Sequence, residues 1–535
     1  MSTIDRSIEM GRHITDNIKI KDKTWDDFFY EAQKRKIILF GISEILNFLW
    51  LRCNSNLDIV AAIDNEAEKQ GHYLNEFFDT NDLKDSETVL ISSKEILNNY
   101  SPNEVVILIS SLRYYEEIAA ELEKENYCCY FSILNLEYNY RKDMKLKNVP
   151  FETQDTFCRN YAIKCVEKET IKNNKVVFFK MSTYKDHGKY ITKQLLMMNN
   201  DIDIVWFVDV ESLDIPSGVR KVNEKNWRKF IYEVETAKIW IVNDTVPTFL
   251  IKRQEQLYIQ VKHWGSITLK RLHLDMPFLS NVEERRKTFE INGKWMDYVI
   301  SGSELDEDTC RKAFNFKGKY LRFGSPRSDI LFLQEQCKKK IYNHFNLNTD
   351  DHILLYAPTF RMINAKIGDF RGTFSNVLDF EILLSSLKQK FGKTWKILLR
   401  LHPSVKNKAK QIKMPNYVID VSKYDDGQEL IAASDILISD YSSIMFEPAY
   451  ILKPVFLYAP DKDDYIKNER EFLIDYNSLP FPISTTNEEL SKQIMNFDEA
   501  KYKQEVKEFL DKYGVHEDGH ASERTAKFIV ELIGE

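Results

Sequence analysis

The amino-acid sequence predicts an α/β protein with three Rossmann-like domains, of which the last two form a tandem pair. The chain has 535 residues. A single hydrophobic core rarely serves more than about 250–300 residues, so we expect roughly three domains of about 150 residues each. Short apolar runs alternate with amphipathic helical stretches along most of the chain, which is the pattern of parallel βαβ units. Polar clusters follow many of these runs, and open α/β sheets bind their ligands at that edge.

The composition excludes several classes of protein. An apolar content of 43% with 29% charged residues is typical of a folded soluble chain. The balance of 75 basic and 82 acidic residues gives a net charge of −7, which argues against a general nucleic-acid binder. We see neither a signal-peptide pattern nor an apolar run near the ~18 residues that span a bilayer. Seven cysteines without ordered spacing favour a reduced, cytosolic protein with neither a zinc site nor a disulfide framework.

The N-terminal part is predicted to be a small Rossmann-like domain. A helical lead-in over residues 1–35 precedes a domain over 36–140, with strands at 36–41, 58–65 and 104–110 and a helix at 115–124. Gly41 and Asp64 lie where a dinucleotide-binding turn and its ribose-binding acid would be. The second and third glycines of that turn are missing, so we favour a degenerate module that docks or positions the acceptor over one that binds a cofactor.

A linker over residues 141–174 is predicted to separate this domain from two larger lobes, which cover 175–300 and 301–535. Strands are expected in the first lobe at 175–179, 202–208, 238–243, 257–261 and 298–301, and in the second at 352–356, 395–402, 417–420, 436–438 and 455–457. A long helix is expected near 330–345, with further helices at the C-terminal end. Two such halves in tandem predict the glycosyltransferase-B (GT-B) arrangement, in which two Rossmann-like lobes face each other across a cleft.

One strand–turn–helix unit of the second lobe carries the strongest chemical signal. An apolar strand ends at Ser439 and Asp440, and a turn with Ser442 and Ser443 opens the next helix. Unpaired N–H groups at a helix start suit a phosphate, and Glu447, about one turn further on, could bind a ribose diol. The unit therefore predicts a site for the diphosphate and sugar of an activated nucleotide. Ser and Asp are also ordinary N-caps, so a purely structural role stays open.

Two histidines and several arginines follow predicted strands. His263 follows the strand at 257–261 and His402 follows the strand at 395–401, one in each lobe. An imidazole can accept a hydroxyl proton near pH 7 and, when protonated, can pair with phosphate. Further candidates for an anion-binding cleft are Arg327, Thr359, Arg361 and Arg400, whose guanidinium groups or hydroxyl can bind phosphate oxygens. Each of these residues can equally serve a structural role, since strand-end histidines are often structural and arginines often form surface ion pairs.

Six motifs together resemble the CDP-glycerol glycerophosphotransferase family, which includes teichoic-acid polymerases and primases and related capsule polymerases. They lie at 240–243, 260–270, 324–329, 356–361, 400–403 and 439–443, in the family's order. The resemblance implies transfer of a polyol phosphate from CDP-glycerol or CDP-ribitol to an acceptor hydroxyl, with release of CMP. It implies that His263 is the base for that hydroxyl and that His402 contacts the transferring phosphate. It also implies that Ser442, Ser443 and Glu447 contact the nucleotide.

The chain departs from the family pattern around the first histidine. The family has Trp-His-Gly, whereas this chain has Lys262, His263, Trp264 and Gly265. A basic residue beside the base is compatible with phosphoryl transfer, which depends on positioning and charge neutralisation. We therefore expect Lys262, Lys270 and Arg271 on the acceptor side. Lys270, Arg271 and the basic residues from Arg285 to Lys287, with nearby apolar residues up to Phe278, could form a surface for anionic lipid or an ordinary charged face.

The remaining expectations concern partners, cofactors and alternatives. The resemblance implies a peripheral protein on the cytoplasmic face of the cell membrane, with a polyprenyl-linked glycan or a polyol-phosphate polymer as acceptor. No cofactor is required and no metal ligands are assigned, although a divalent cation such as Mg²⁺ is compatible with the chemistry. The acidic residues Asp461, Asp463 and Asp464 more readily cap a helix than hold a cation. Two alternatives stay open: a GT-B glycosyltransferase that uses a sugar nucleotide, and an inactive scaffold for capsule assembly.

Overall fold

The computed structural model describes most of the chain. It covers residues 23–52, 57–77, 89–111, 114–143, 154–179, 184–198, 201–208, 215–223, 227–276, 282–359, 361–364, 369–373, 378–401, 414–468 and 471–534. Within these ranges, no helix combines the length and apolarity needed to cross a bilayer. His402 and Phe278 lie outside the described residues. The strand that contains Arg361 is described, but its side chains are not.

The N-terminal domain contains a five-stranded parallel sheet in the order β3-β2-β1-β4-β5. Its strands are β1 (Lys36–Phe40), β2 (Ile59–Ile63), β3 (Ile91–Ser92), β4 (Val105–Ile109) and β5 (Tyr130–Ser132). Its helices are α1 (Trp25–Ala32), α2 (Asn47–Arg52), α3 (Tyr115–Lys124) and α4 (Ile133–Asp143). This is a doubly wound sheet, because the chain runs outward from β1 first in one direction and then in the other.

The backbone of the turn after β1 is hydrogen-bonded to a side chain of the same domain. Gly41 has φ +85° and begins the turn. The Asp64 carboxylate accepts a hydrogen bond from the Ile42 N–H at 2.7 Å and pairs with the Lys69 ammonium at 3.2 Å. A pyrophosphate would need that N–H, so Asp64 serves this turn as an internal partner of the backbone.

The first lobe is built on a seven-stranded parallel sheet in the order β12-β11-β10-β9-β6-β7-β8. Its strands are β6 (Lys172–Phe179), β7 (Asp203–Val208), β8 (Val219–Asn223), β9 (Ala237–Val242), β10 (Leu257–Gln260), β11 (Tyr298–Ile300) and β12 (Lys319–Leu321). Its helices are α5 (Gln154–Lys168), α6 (Asp186–Met197), α7 (Trp227–Glu235), α8 (Val282–Trp295) and α9 (Glu304–Phe314). The central strands are buried almost throughout, as expected for a sheet covered on both faces. Because β12 belongs to this sheet, the first lobe's sheet extends past residue 300.

The second lobe has a six-stranded parallel sheet in the order β17-β16-β13-β18-β19-β20. Its strands are β13 (Asp351–Tyr356), β16 (Thr394–Leu399), β17 (Val418–Asp420), β18 (Ile436–Ser439), β19 (Val455–Tyr458) and β20 (Ile483–Ser484), and β14 (Arg361–Asn364) and β15 (Asp369–Thr373) form a separate antiparallel pair. Its helices are α10 (Gln334–Phe345), α11 (Phe380–Phe391), α12 (Gly427–Ala433), α13 (Phe446–Tyr450), α14 (Lys462–Asn468), α15 (Asn487–Met495) and α16 (Glu499–Lys512).

Two stretches of chain cross between the lobes. Ile267 and Leu269 follow β10 in sequence but are buried in the hydrophobic core of the second lobe. In the opposite direction, the last helix, α17 (Ala521–Gly534), buries Ile529 and Leu532 against the first lobe's sheet. The two lobes are therefore interlocked by packing as well as joined by the chain.

A buried carboxyl group in the first lobe gives a prediction about pH. Glu235 is fully buried, and burial raises its pKa from 4.5 to about 8, although the Ile251 N–H bonded to it opposes the rise. Between these values the unfolded chain loses a proton that the folded chain keeps, so the free energy of unfolding falls as pH rises. We expect Glu235→Gln to gain stability over wild type by up to about 1.4 kcal/mol per pH unit in this interval.

Urea unfolding at pH 5, 6.5 and 8 measures this difference. Glu523→Gln is the matched control, since that carboxylate is 39% exposed and its pKa is lowered by its bonds to Lys527 and His520. A Glu235→Gln stability difference that does not change with pH contradicts the prediction.

Candidate active site

A strained turn after β10 presents His263 to solvent. Lys262 has φ +65°, in the left-handed region that non-glycine residues rarely adopt. Its side chain is buried and forms an ion pair with Asp306, which also accepts a hydrogen bond from the Trp264 indole at 3.0 Å. Lys262 and Trp264 are thus both anchored on one buried carboxylate. The side chain between them, His263, points outward and is exposed.

This geometry corrects one expectation and explains the exchanged order of Trp and His. We expected Lys262 on the acceptor side, but it is 1% exposed. The left-handed backbone directs its side chain into the lobe, where Asp306 neutralises it. The indole of Trp264 fills the neighbouring interior position, so the imidazole at 263 is the one left exposed.

The segment after His263 lies against the second lobe. The Ile267 N–H donates to the Tyr450 hydroxyl at 3.1 Å, and the Leu269 N–H donates to the Ser443 hydroxyl at 3.1 Å. The Lys270 ammonium donates a hydrogen bond to the Tyr465 hydroxyl of the second lobe at 2.6 Å. We expected this side chain on the acceptor side, but its partner belongs to the second lobe. Arg271 is 36% exposed and pairs with Asp275 at 3.0 Å. Ser443 is therefore linked to a residue only six positions after His263.

The turn after β18 is held by hydrogen bonds within the second lobe and is partly open to solvent. The Asp440 carboxylate accepts hydrogen bonds from the Thr359 N–H at 2.8 Å and the Thr359 hydroxyl at 2.6 Å. These two residues, both predicted as donor contacts, thus hold two strand-end loops together. Tyr441 is fully buried, whereas Ser442 and Ser443 keep partial exposure. The Ser442 hydroxyl accepts the Ile444 N–H at 3.4 Å, as an N-cap.

Arg327 bridges the two lobes. Its guanidinium donates to Asp186 of the first lobe at 3.1 Å and to Glu447 of the second lobe at 2.6 Å. It also donates to the carbonyl oxygen of His263 at 3.2 Å. Burial opposes the charge on Arg327, but Glu447 and Asp186 outweigh it and raise its pKa. Arg327, predicted as an open fork for phosphate, is therefore largely occupied by protein partners.

Glu447 belongs to the same bridge. It is 2% exposed and also accepts a hydrogen bond from the Gln428 side chain at 2.9 Å. A methyl group at Gly265 would lie 3.6 Å from this carboxylate and 3.7 Å from the Arg327 guanidinium. Glu447, predicted to bind a ribose, thus lies directly beside the turn that carries His263.

His187 and Asp186 are site residues that the sequence analysis missed. His187 is fully buried, and burial lowers its pKa to about 3, so it is neutral. Its Nε2 lies 3.1 Å from the Trp264 carbonyl, and its Nδ1 accepts the Arg327 N–H at 3.5 Å. Both residues open a helix shortly after β6, and a polar cluster at that sheet edge was the available signal.

Arg400 follows β16 and supports a neighbouring loop. It donates to the backbone carbonyl oxygens of Tyr424 at 2.6 Å and Val421 at 3.4 Å, and burial lowers its pKa. This contact orders the loop that leads to Asp426, which accepts a hydrogen bond from Tyr190 of the first lobe at 2.7 Å. His402 and the side chain of Arg361 lie outside the described residues, so their predicted roles stay predictions.

A cavity of about 930 Å³ opens between the lobes beside this loop. It is lined from the first lobe by Tyr184, Lys189, Lys193, Leu196, Met197 and Pro216, and from the second by Lys340, His344, Phe345, Asp420, Val421, Lys423, Tyr424, Asp425, Asp426 and Glu429. Its volume is sufficient for a nucleotide-sized ligand. The mixture of aromatic, basic and acidic side chains offers both stacking and hydrogen bonding.

Taken together, the described residues place an exposed imidazole and two partly exposed hydroxyls at one junction of two lobes. The imidazole can accept a proton from an alcohol, and the hydroxyls can donate to phosphate oxygens. The buried charged bridge through Arg327 fixes the turns that carry both sets of groups. This arrangement suits group transfer between a substrate held by one lobe and a substrate held by the other.

Comparison with proteins of known sequence identifies similar chains. Residues 161–531 match the family model described as CDP-glycerol:poly(glycerophosphate) glycerophosphotransferase. The teichoic acid poly(glycerol phosphate) polymerase of Staphylococcus epidermidis is 30% identical over 372 residues, which cover 67% of this chain and 50% of that protein. The polymerase of the same name from Bacillus spizizenii is 30% identical over 344 residues, 62% of this chain and 84% of that protein. The chain thus spans about half the length of the first of these relatives.

Comparison with solved structures supports the same relationship. The structure of the wall teichoic acid polymerase TagF aligns with 74% of this chain and 98% of that chain, at 28% identity and a TM-score of 0.63. A TagF variant soaked with CDPG aligns with a TM-score of 0.61. This likeness confirms the predicted GT-B arrangement of the two lobes. The family model covers more than half of the chain, and the chain therefore belongs to the CDP-glycerol:poly(glycerophosphate) glycerophosphotransferase family.

Proposed function

We propose that this protein transfers glycerol phosphate from CDP-glycerol to a hydroxyl group of a growing polymer and releases CMP. The observation that carries the proposal is the junction of an exposed His263 with the Ser442 and Ser443 turn of the opposite lobe. The relatives that are glycerol-phosphate polymerases support the choice of donor. Two similar lobes that meet at this junction allow one lobe to bind the donor and the other to bind the acceptor.

In the proposed reaction, the acceptor oxygen forms a bond to the phosphorus that carries the glycerol. The bond from that phosphorus to the bridging oxygen breaks, and CMP leaves with the electron pair. His263 takes the proton of the acceptor hydroxyl, while the Ser442 and Ser443 hydroxyls donate hydrogen bonds to the diphosphate. The family resemblance assigns the transferring phosphate to His402. Phosphoryl transfer of this kind depends mainly on positioning and charge stabilisation, which the ordered turns supply.

The contacts revise the roles of the charged residues. Arg327 and Glu447 bind each other across the lobes, so we assign them to the alignment of donor and acceptor sites. Asp440 and Thr359 support the serine turn, and Arg400 supports the loop at 421–426. We propose that the nucleoside occupies the adjacent interlobe cavity, whose aromatic side chains can stack on a base. No cofactor is assigned, and a divalent cation such as Mg²⁺ would serve only to screen the diphosphate.

Donor identity and location are parts of the same proposal. CDP-ribitol is the second candidate donor, because a teichoic acid ribitol-phosphate primase is 30% identical over 308 residues. We propose a lipid-linked glycan or polyol-phosphate polymer as acceptor. We also propose that the protein works peripherally on the cytoplasmic face of the membrane.

A donor panel tests the proposal. The protein is incubated with an acceptor and with CDP-glycerol, CDP-ribitol or UDP-sugars, and free nucleotide and product length are measured. Release of CMP from CDP-glycerol with chain growth is the expected result. Release of UDP would instead favour a sugar-nucleotide transferase, and no turnover with any donor would favour a scaffold.

Substitutions in the serine turn test the donor site. We expect Ser442→Ala combined with Ser443→Ala to raise the KM for CDP-glycerol by at least about tenfold, since even one hydrogen bond to a charged group contributes about 1.5–3 kcal/mol net. Ser478→Ala, a hydroxyl that caps its own turn elsewhere in the lobe, is the control. Steady-state kinetics with varied donor measures the effect, and an unchanged KM would remove the two serines from the donor site.

A further inference from the structure

Three potential metal ligands converge around the exposed imidazole. Asp244 follows β9, His263 follows β10, and His273 lies in a short 3-10 turn (His273–Asp275) further along the chain. One ligand atom from each lies within 4.8 Å of the other two. The two strands are neighbours in the parallel sheet, so their carboxyl ends bring Asp244 and His263 to one edge.

We propose that Asp244, His263 and His273 form a binding site for a divalent transition-metal ion of the zinc class. Two imidazoles and one carboxylate are a donor set that Zn²⁺, Co²⁺ and Fe²⁺ bind in proteins. Metal–ligand distances of about 2.0–2.2 Å require ligand atoms somewhat closer than 4.8 Å. Rotation of the Asp244 and His263 side chains can supply that contraction without moving the backbone.

The backbone around the cluster is held in place before any ion binds. Lys262 and His273 both have positive φ, +65° and +49°, which non-glycine residues adopt only where surrounding contacts enforce it. Lys262 is fixed by its buried pair with Asp306. The His273 ring packs against Phe289 and Phe314, with centroid distances of 4.4 and 4.7 Å. Strained positions that are fixed in this way are typical of binding sites.

Occupation of this site has a definite consequence for the proposed reaction. An imidazole nitrogen that binds a metal ion has no lone pair left for a proton. Metal binding at His263 and proton transfer by His263 therefore exclude each other at that nitrogen. A bound metal ion would therefore prevent His263 from taking the proton of the acceptor hydroxyl. The existence of the site rests on geometry alone, and only its effect on turnover rests on the proposed function.

Metal binding by the purified protein tests the site directly. The protein is stripped with EDTA, dialysed and titrated with Co²⁺ and Zn²⁺, and binding is followed by visible absorption and by calorimetry. We expect one ion per chain at this site, and loss of that ion in Asp244→Ala, His263→Ala and His273→Phe. The last variant keeps an aromatic ring in the packed position and removes both ring nitrogens. His520→Ala is the matched control, because that histidine is 64% exposed and lies outside the cluster.

Each outcome decides the proposal. Loss of the ion in the three variants, which must retain the wild-type thermal unfolding profile, supports it. Absence of binding in the wild type overturns it, as does binding that persists in Asp244→Ala and His273→Phe. If CMP release is found, Zn²⁺ should inhibit it in the wild type and not in His273→Phe. A protein that binds the ion but uses no CDP-polyol would overturn the proposed function and leave the site intact.

Discussion

His263→Ala is expected to lower the rate of CMP release from CDP-glycerol by roughly 10²–10⁴-fold, which is the usual contribution of a general base. The KM for the donor should change little, because His263 lies on the first lobe and the serine turn lies on the second. The substitution removes an exposed side chain and leaves Lys262 and Trp264 anchored on Asp306, so the fold should be retained. Steady-state kinetics in the presence of EDTA measures the effect without interference from bound metal.

The control for this experiment is His520→Ala, an exposed histidine far from the junction in sequence. It should retain the wild-type rate. A wild-type kcat for His263→Ala would show that another group takes the acceptor proton. A large increase in donor KM with unchanged kcat would place His263 in the donor site instead.

Arg327→Met should destabilise the protein by about 3–5 kcal/mol, which is the typical cost of removing one partner from a buried ion pair. The substitution leaves Glu447 buried without its cation and removes the link to Asp186. The loss is large because Glu447 is 2% exposed and cannot reach water without separating the turns at the lobe junction, whereas Asp186 is 19% exposed. Chemical unfolding followed by fluorescence and circular dichroism measures the effect, and turnover should fall as well because the two sites lose their alignment.

Arg322→Met provides the matched control. Arg322 contacts the buried carboxylate of Glu307 at two points, but the Arg322 side chain itself is 61% exposed. Because water screens the exposed guanidinium, this variant should lose much less stability than Arg327→Met. Equal losses in the two variants would mean that the Arg327 bridge is no more important than a surface contact. The double variant Arg327→Met with Glu447→Met should recover part of the lost stability, since it removes the unpaired charge.

The central strands of the sheets could be predicted from sequence because they are continuous apolar runs. The runs at 105–109 and 436–438 are buried along their whole length, and each lies within one residue of its predicted bounds. Several edge strands were missed for the opposite reason. Val219–Asn223 has a mostly polar or exposed pattern, and Ile91–Ser92 has only two residues. Such strands depend on pairing with a neighbour and leave little periodicity in the sequence.

The site was predictable where a side chain follows a strand and unpredictable where its direction depends on the backbone. His263 and the serine turn could be selected as candidates because each follows an apolar run. Lys262 was placed wrongly because its left-handed φ, which turns the side chain inward, has no signature in a non-glycine residue. Arg327 was expected to be free because its partners, Asp186 and Glu447, lie more than a hundred residues away in sequence.

The position of the last helix has a practical consequence for dissecting the protein. The helix Ala521–Gly534 covers the sheet of the first lobe. A single cut between the lobes therefore separates the apolar face of this helix from the sheet face that it covers. A fragment that begins after residue 321 would expose the apolar face of this helix to solvent, and the complementary fragment would lack the helix. Separate production of the second lobe therefore requires removal of this helix, and the first lobe requires its addition by a new linker.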